Sequence, residues 1–195
     1  YELAKFLAKL YDKNNKVTIP GFYEGMDRIT SSQIKNNKKL LKNVKEVYKI
    51  TGVKTLLCEK GVDFYTQTGL RPTVQVTGIK TGYTGEGYSN IVPATAEAKI
   101  NFRIVTSQNP MKIYKAYEGF VKKNTPKYVD YELSSGGMHK ATKININSDM
   151  VRDITKLLKK TYESDVLIKP VGGAIPVVVD FKEVLGADSL LVSLG

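Results

Sequence analysis

An arginine stands near the end of the longest alternating stretch of this chain, and its position invites a chemical reading. From Ala94 to Ile104 the even positions Ala94, Ala96, Ala98, Ile100, Phe102 and Ile104 are apolar, while Thr95, Glu97, Lys99, Asn101 and Arg103 are polar. Such a period-two pattern marks a strand with one covered face, and Arg103 lies on the other. A guanidinium there can take an acid group through two parallel hydrogen bonds. It can equally be a solvated side chain or half of a cross-strand ion pair, which is what the pattern alone favours. Gly172 and Gly173 precede a helix beginning near Val177. Glycines there let a substrate approach the backbone at the positive end of a helix, although an ordinary tight turn explains them as well.

Other chemistry is scarce. The loop Thr81-Gly-Tyr-Thr-Gly-Glu-Gly87 has the glycines of a phosphate cradle but not its Lys-Ser/Thr ending, and strands flank it on both sides, so it reads as a hairpin loop. Metal sites need clustered histidine, cysteine or carboxylate ligands at fixed spacings, and none is evident. The one histidine, His139, sits in a glycine-rich loop and reads as a surface residue. The one cysteine, Cys58, has no histidine nearby in sequence and reads as a small buried or half-buried side chain, not a nucleophile.

The elements that must position these residues can be read from local signals. Leu3, Phe6, Leu7 and Leu10 predict a first helix to about Tyr11, followed by a short strand Val17 to Ile19. An insertion comes next, in which Thr30 and Gln33 form a capping box and Leu40, Leu41, Val44 and Val47 continue a helix that Gly52 can end. Short helical pieces are expected between Val53 and Leu70. Thr73 to Ile79 alternates and should pair as a hairpin with the Arg103 strand. Pro110 opens a helix with the apolar stripe Ile113, Tyr117, Phe120 and Val121, and Tyr128 to Leu133 reads as a strand. With one strand missing upstream, this order is that of a βαββαβ sandwich. Beyond the Ser134-Ser-Gly-Gly137 break the expected elements are a helix capped by Asn147 or Ser148, a strand Val166 to Ile168, the helix Val177 to Leu185 and a strand Ser189 to Leu194. Their non-alternating strands suit a sheet covered on both faces, as in α/β layers. Both ends of the chain read as interior to a longer protein.

Composition narrows the partners. The 195 residues are 42% apolar, enough for a core, and no apolar run is long enough to span a bilayer. A single cysteine suits a reducing compartment, so cytoplasm is expected and membrane attachment is not. The net charge of +11 raises nucleic acid as a partner. Only Arg28, Arg71, Arg103 and Arg152 are arginines, however, and Lys35, Lys38, Lys39, Lys42 and Lys45 are spread along a helix without stacking aromatics. Solvated surface is the preferred reading, with nucleic-acid binding left as the weaker alternative.

Several separated segments, in order, carry a resemblance. Asn90-Ile-Val-Pro-Ala-Thr-Ala-Glu-Ala-Lys-Ile-Asn-Phe-Arg103 followed by Gln108-Asn-Pro110 resembles the lid-domain signature of metallopeptidase family M twenty. Val17-Thr-Ile-Pro-Gly-Phe-Tyr23, Arg71-Pro-Thr-Val74 and Gly82-Tyr-Thr-Gly-Glu-Gly87 resemble its dipeptidase branch, and Gly172-Gly-Ala-Ile-Pro176 resembles a loop near the end of its catalytic domain. The resemblance implies an α+β chain: a βαββαβ, ferredoxin-like lid and dimerisation domain over 1–133, its first strand missing and an insertion at about 20–70, then part of an α/β zinc-peptidase catalytic domain over 134–195. It implies a dizinc parent that cleaves an amide bond of a small peptide or N-acyl amino acid, with a zinc-activated water and a glutamate base. The metal ligands and catalytic residues would all lie outside this stretch, which should be inactive alone. Left for this chain would be substrate binding and homodimerisation. Arg103 would grip the substrate carboxylate, Asn90 would reach the partner subunit's site, and Gly172, Gly173 and Ala174 would line the pocket. Three departures from the dipeptidase pattern stand out: Asn90 replaces a frequent threonine, Ala174 a usual serine, and Pro170-Val171 a usual Arg-Glu pair. A non-catalytic association module is the alternative, because a strand gap leaves backbone open to pairing.

Overall fold

The computed structural model describes residues 1–172 and 175–193. Seven helices and one hairpin make up the described chain: α1 (Glu2–Ala8), α2 (Ser31–Leu40), α3 (Val44–Thr51), α4 (Phe64–Leu70), β1 (Thr73–Thr81), β2 (Ala96–Arg103), α5 (Pro110–Asn124), α6 (Asp149–Tyr162) and α7 (Pro176–Leu185). The expected α+β class holds, with a small sheet.

Local chemistry accounts for most boundaries. The Thr30 hydroxyl accepts from the Gln33 N–H while the Gln33 side chain accepts from the Thr30 N–H, which completes the capping box at the head of α2. A single 3₁₀ turn, Leu41–Asn43, separates α2 from α3, and Gly52 ends α3 in the left-handed conformation at φ 68°. Asn109 Oδ1 accepts from the N–H groups of Met111 and Lys112 at the start of α5, where Pro110 fills the first turn. Ser148, one of the two expected caps, accepts from the Val151 N–H at the head of α6.

β1 and β2 pair antiparallel from Thr73↔Arg103 through Val74↔Phe102 and Val76↔Ile100, with a bulge between Val76 and Gly78. Along β2 the odd positions are exposed, while Ala98, Ile100 and Phe102 are half-buried, as the alternation requires. Ile100, Phe102 and buried Val74 meet Leu10, Val17, Ile19, Phe22 and the α5 stripe Ile113, Tyr117, Phe120 and Val121 in one core. Phe102 packs edge-on to Tyr117 at 4.9 Å between ring centroids, and tilted against Phe22 at 6.1 Å. Burial pushes the Tyr117 phenol up to about 12. Gln108 does more than open α5. Buried, its amide donates to the carbonyl oxygens of Phe22 and Glu24 and accepts from the Val105 N–H, which ties the β2–α5 turn to the loop after Pro20.

Four expected strands differ from this picture. Val17 to Ile19 forms only an isolated bridge, Tyr11↔Val17. Tyr128 to Leu133, Val166 to Ile168 and 189–193 are extended or irregular and pair with no strand among the described residues. An apolar run reports a tendency to be extended, but a strand exists only where a second backbone supplies the ladder. Leu194 lies outside the described residues. No described helix is long and apolar enough to cross a membrane.

Candidate functional site

Arg103 is the last residue of β2, where the hairpin register sets it opposite Thr73 at the beginning of β1. Its side chain is exposed and leaves the sheet on the polar face, as the alternation predicts. There Arg103 Nη1 donates to the carbonyl oxygen of Gly172 at 2.8 Å, a contact between residues 69 positions apart. A guanidinium has five N–H donors in a planar fork, and this bond uses one of them. Two of the separated segments singled out in the sequence thus meet.

Gly172 is held on its other side as well. Its N–H donates to the Thr68 carbonyl at 3.0 Å. A Cβ added at Gly172 would lie 2.3 Å from the Thr68 oxygen, and one added at Gly69 would lie 2.4 Å from the Pro170 oxygen. Both glycines are needed for space, since neither lies at positive φ. Just before Pro170, Asn36 Nδ2 donates to the Ile168 carbonyl at 2.7 Å, and the Lys169 ammonium lies 5.9 Å from the centre of the Tyr65 ring. Ile168 to Gly172 is therefore bordered by α2, α4 and the end of β2.

These neighbours were not evident in the sequence. Asn36 reads as one more polar residue on a solvated helix. Gly69 carried a faint signal, because glycine inside a helix costs about 1 kcal/mol against alanine and so asks for a reason. Here the reason is the approach of Pro170.

The remaining expected positions fall elsewhere. Asn90 lies in the loop joining β1 to β2, where every residue from Thr81 to Thr95 is exposed. That loop enters β2 at Ala96, so Asn90 and Arg103 belong to opposite ends of a strand roughly 23 Å long. Gly173 and Ala174 lie outside the described residues. His139 is exposed in its loop. Cys58 is partly buried; burial foremost, and the nearby Asp63 carboxylate after it, push its thiol up. Among the described residues no three histidine, cysteine, aspartate or glutamate side chains come together to hold a metal.

A family model described as "Peptidase dimerisation domain" matches residues 1–129. The Cys-Gly metallodipeptidase of Saccharomyces cerevisiae is 24% identical over 200 residues, covering 100% of this chain and 41% of that protein. The human Beta-Ala-His dipeptidase is 19% identical over 199 residues, covering 100% of this chain and 39% of that protein. Among solved structures, a family M twenty metallo-carboxypeptidase from Sulfolobus solfataricus superposes with a TM-score of 0.81 at 30% identity, over 95% of this chain and 42% of that one. Human carnosine dipeptidase superposes at 0.80 and 17% identity, over 96% of this chain and 40% of that one, a likeness of fold. The chain thus spans about two fifths of the length of the relatives it matches.

Proposed function

Since the chain belongs to peptidase family M twenty, its residues 1–129 matching the dimerisation domain, we propose that it is the substrate-covering part of a zinc-dependent dipeptidase or N-acyl amino acid deacylase. In this reading 1–133 is the lid and dimerisation domain, 134–195 belongs to the catalytic domain, and the stretch alone is inactive. The described residues do not assemble a metal site. The metal ligands, the general base and the cleavage itself would belong to the rest of the peptidase. The single cysteine suits a cytoplasmic enzyme.

The observation that carries the reading is the hydrogen bond from Arg103 to Gly172, which brings the end of β2 against the glycine loop. A guanidinium so placed offers its other donors to the carboxylate of a small peptide or N-acyl amino acid. Asn90 lies in the loop at the other end of the hairpin from Arg103, which fits a role in the partner subunit's site. One protomer would then contribute to two sites. A homodimer follows from this division. We assign neither nucleic acid nor membrane as a partner.

In the full-length peptidase, Arg103→Ala should raise KM for substrates with a free carboxylate and leave carboxamide analogues unchanged. An equal KM for wild type and variant would remove the role of Arg103, and failure of the zinc-loaded enzyme to hydrolyse any of a panel of dipeptides and N-acyl amino acids would remove the activity. The association-module reading draws on a separate observation: β1 and β2 pair only with each other among the described residues, so each keeps an open edge. Sedimentation that finds only monomers at high concentration would dismiss dimerisation in both readings.

A further inference from the structure

The insertion between Pro20 and Leu70 supplies most of the contacts around the glycine loop. Asn36 on α2 donates to Ile168, Thr68 on α4 accepts from Gly172, and Gly69 on α4 admits Pro170. The two helices are themselves joined by a buried polar chain. Asn37, fully buried, donates through Nδ2 to Thr66 Oγ1 at 3.0 Å, and that hydroxyl donates at 2.6 Å to Asp63, the residue that caps α4. Buried and mutually satisfied hydrogen bonds of this kind make α2 and α4 one unit. A loop held on that unit has little freedom of its own.

We propose that the insertion is the positioning element of the substrate loop, with Asn36 and Gly69 as positioning residues that fix Ile168 to Gly172 and, through the Gly172 carbonyl, the guanidinium of Arg103. The inference rests on the reading of Arg103 as a carboxylate clamp. Its logic is geometric. Gly172 spends its N–H on α4 and its carbonyl oxygen on Arg103, so a shift of the loop away from α4 also moves the acceptor that orients the arginine. Neither Asn36 nor Gly69 needs to touch substrate.

The test uses the full-length peptidase. Asn36→Asp keeps the shape of the side chain but sets an acceptor against the Ile168 carbonyl, and Gly69→Ala drives a methyl group into the Pro170 oxygen. Each should raise KM roughly tenfold for a dipeptide with a free carboxylate, change kcat by less than about twofold, and leave KM for the carboxamide analogue unchanged. Asn36→Gln, which keeps an amide donor, should restore most of the loss. A purely structural role would move both substrates alike and kcat with them. In parallel, hydrogen exchange at the Gly172 amide should quicken by about tenfold in both variants, because its bond to Thr68 is loosened. If Arg103→Ala raises KM for the carboxylate substrate but Asn36→Asp and Gly69→Ala do not, the inference is overturned while the clamp stands. If Arg103→Ala has no effect either, the clamp reading is what fails. Exchange at Gly172 then decides: faster exchange in both variants sustains the hold of the insertion on the loop, and the wild-type rate overturns it.

Discussion

The hairpin's inner face and the stripe of α5 close over one buried core, whereas most apolar side chains of α7 stay exposed. Leu10 and Phe22 are 0% exposed, but Val184 and Leu185 of α7 are 78% and 69% exposed, and of the apolar residues in α6 and α7 only Val151 and Val178 are buried. Local signals do not explain the difference. Ser148 caps α6 as Thr30 caps α2, and Gly186 ends α7 in the same left-handed conformation that Gly52 adopts after α3. Capping and periodicity make a helix and orient its apolar face; burial needs another surface of the right shape. The first region supplies that surface itself, through β1, β2, α5 and the loop around Phe22. The second meets the first at Ile168 to Gly172, the segment bearing the proposed site.

The contrast can be broken by substitution. Phe22→Ala should cost about 3–5 kcal/mol, read as a lowered urea midpoint, because it empties a space at the centre of the first region's core; a loss below about 1 kcal/mol would show that this core does not carry the stability. A smaller effect is expected from alkali. Burial disfavours the Tyr117 phenolate, so the folded chain keeps the proton to about 12 while the unfolded chain loses it near 10. Stability from this group is therefore complete below pH 10 and declines as pH rises toward 12. Tyr117→Phe should flatten that decline in a series of pH-resolved unfolding curves, and an unaltered slope would refute the assignment. Val184→Ser, at an exposed position of α7, should change stability by no more than about 0.5 kcal/mol. A loss comparable to that of Phe22→Ala would mean that the two regions are not as unlike as their burial indicates.

Much of the fold was legible from residues. The Thr30–Gln33 box, Pro110 at the head of α5, the stripe Ile113, Tyr117, Phe120 and Val121, and the β1–β2 hairpin all follow from rules acting over a few positions, and all are present. The strands expected at Tyr128 to Leu133 and Val166 to Ile168 were not decidable in this way, because pairing is a property of two segments. The site divides likewise. The alternation put Arg103 on the open face of β2, where the pattern alone favoured a solvated side chain or an ion pair, and the family resemblance pointed to a substrate role and to the Gly172 loop, but nothing in the spacing joined Arg103 to Gly172 or Asn36 to Ile168.

By itself, then, the order of residues determined the helices, the hairpin, the covered and open faces of β2 and the family, since each rests on local periodicity, capping or an ordered set of short motifs. The tertiary structure alone decided that the apolar side chains of α7 stay largely exposed and which backbone stands beside Arg103. Contacts between residues 69 and 132 positions apart leave no mark on either segment until the chain has folded and brought them within hydrogen-bonding distance.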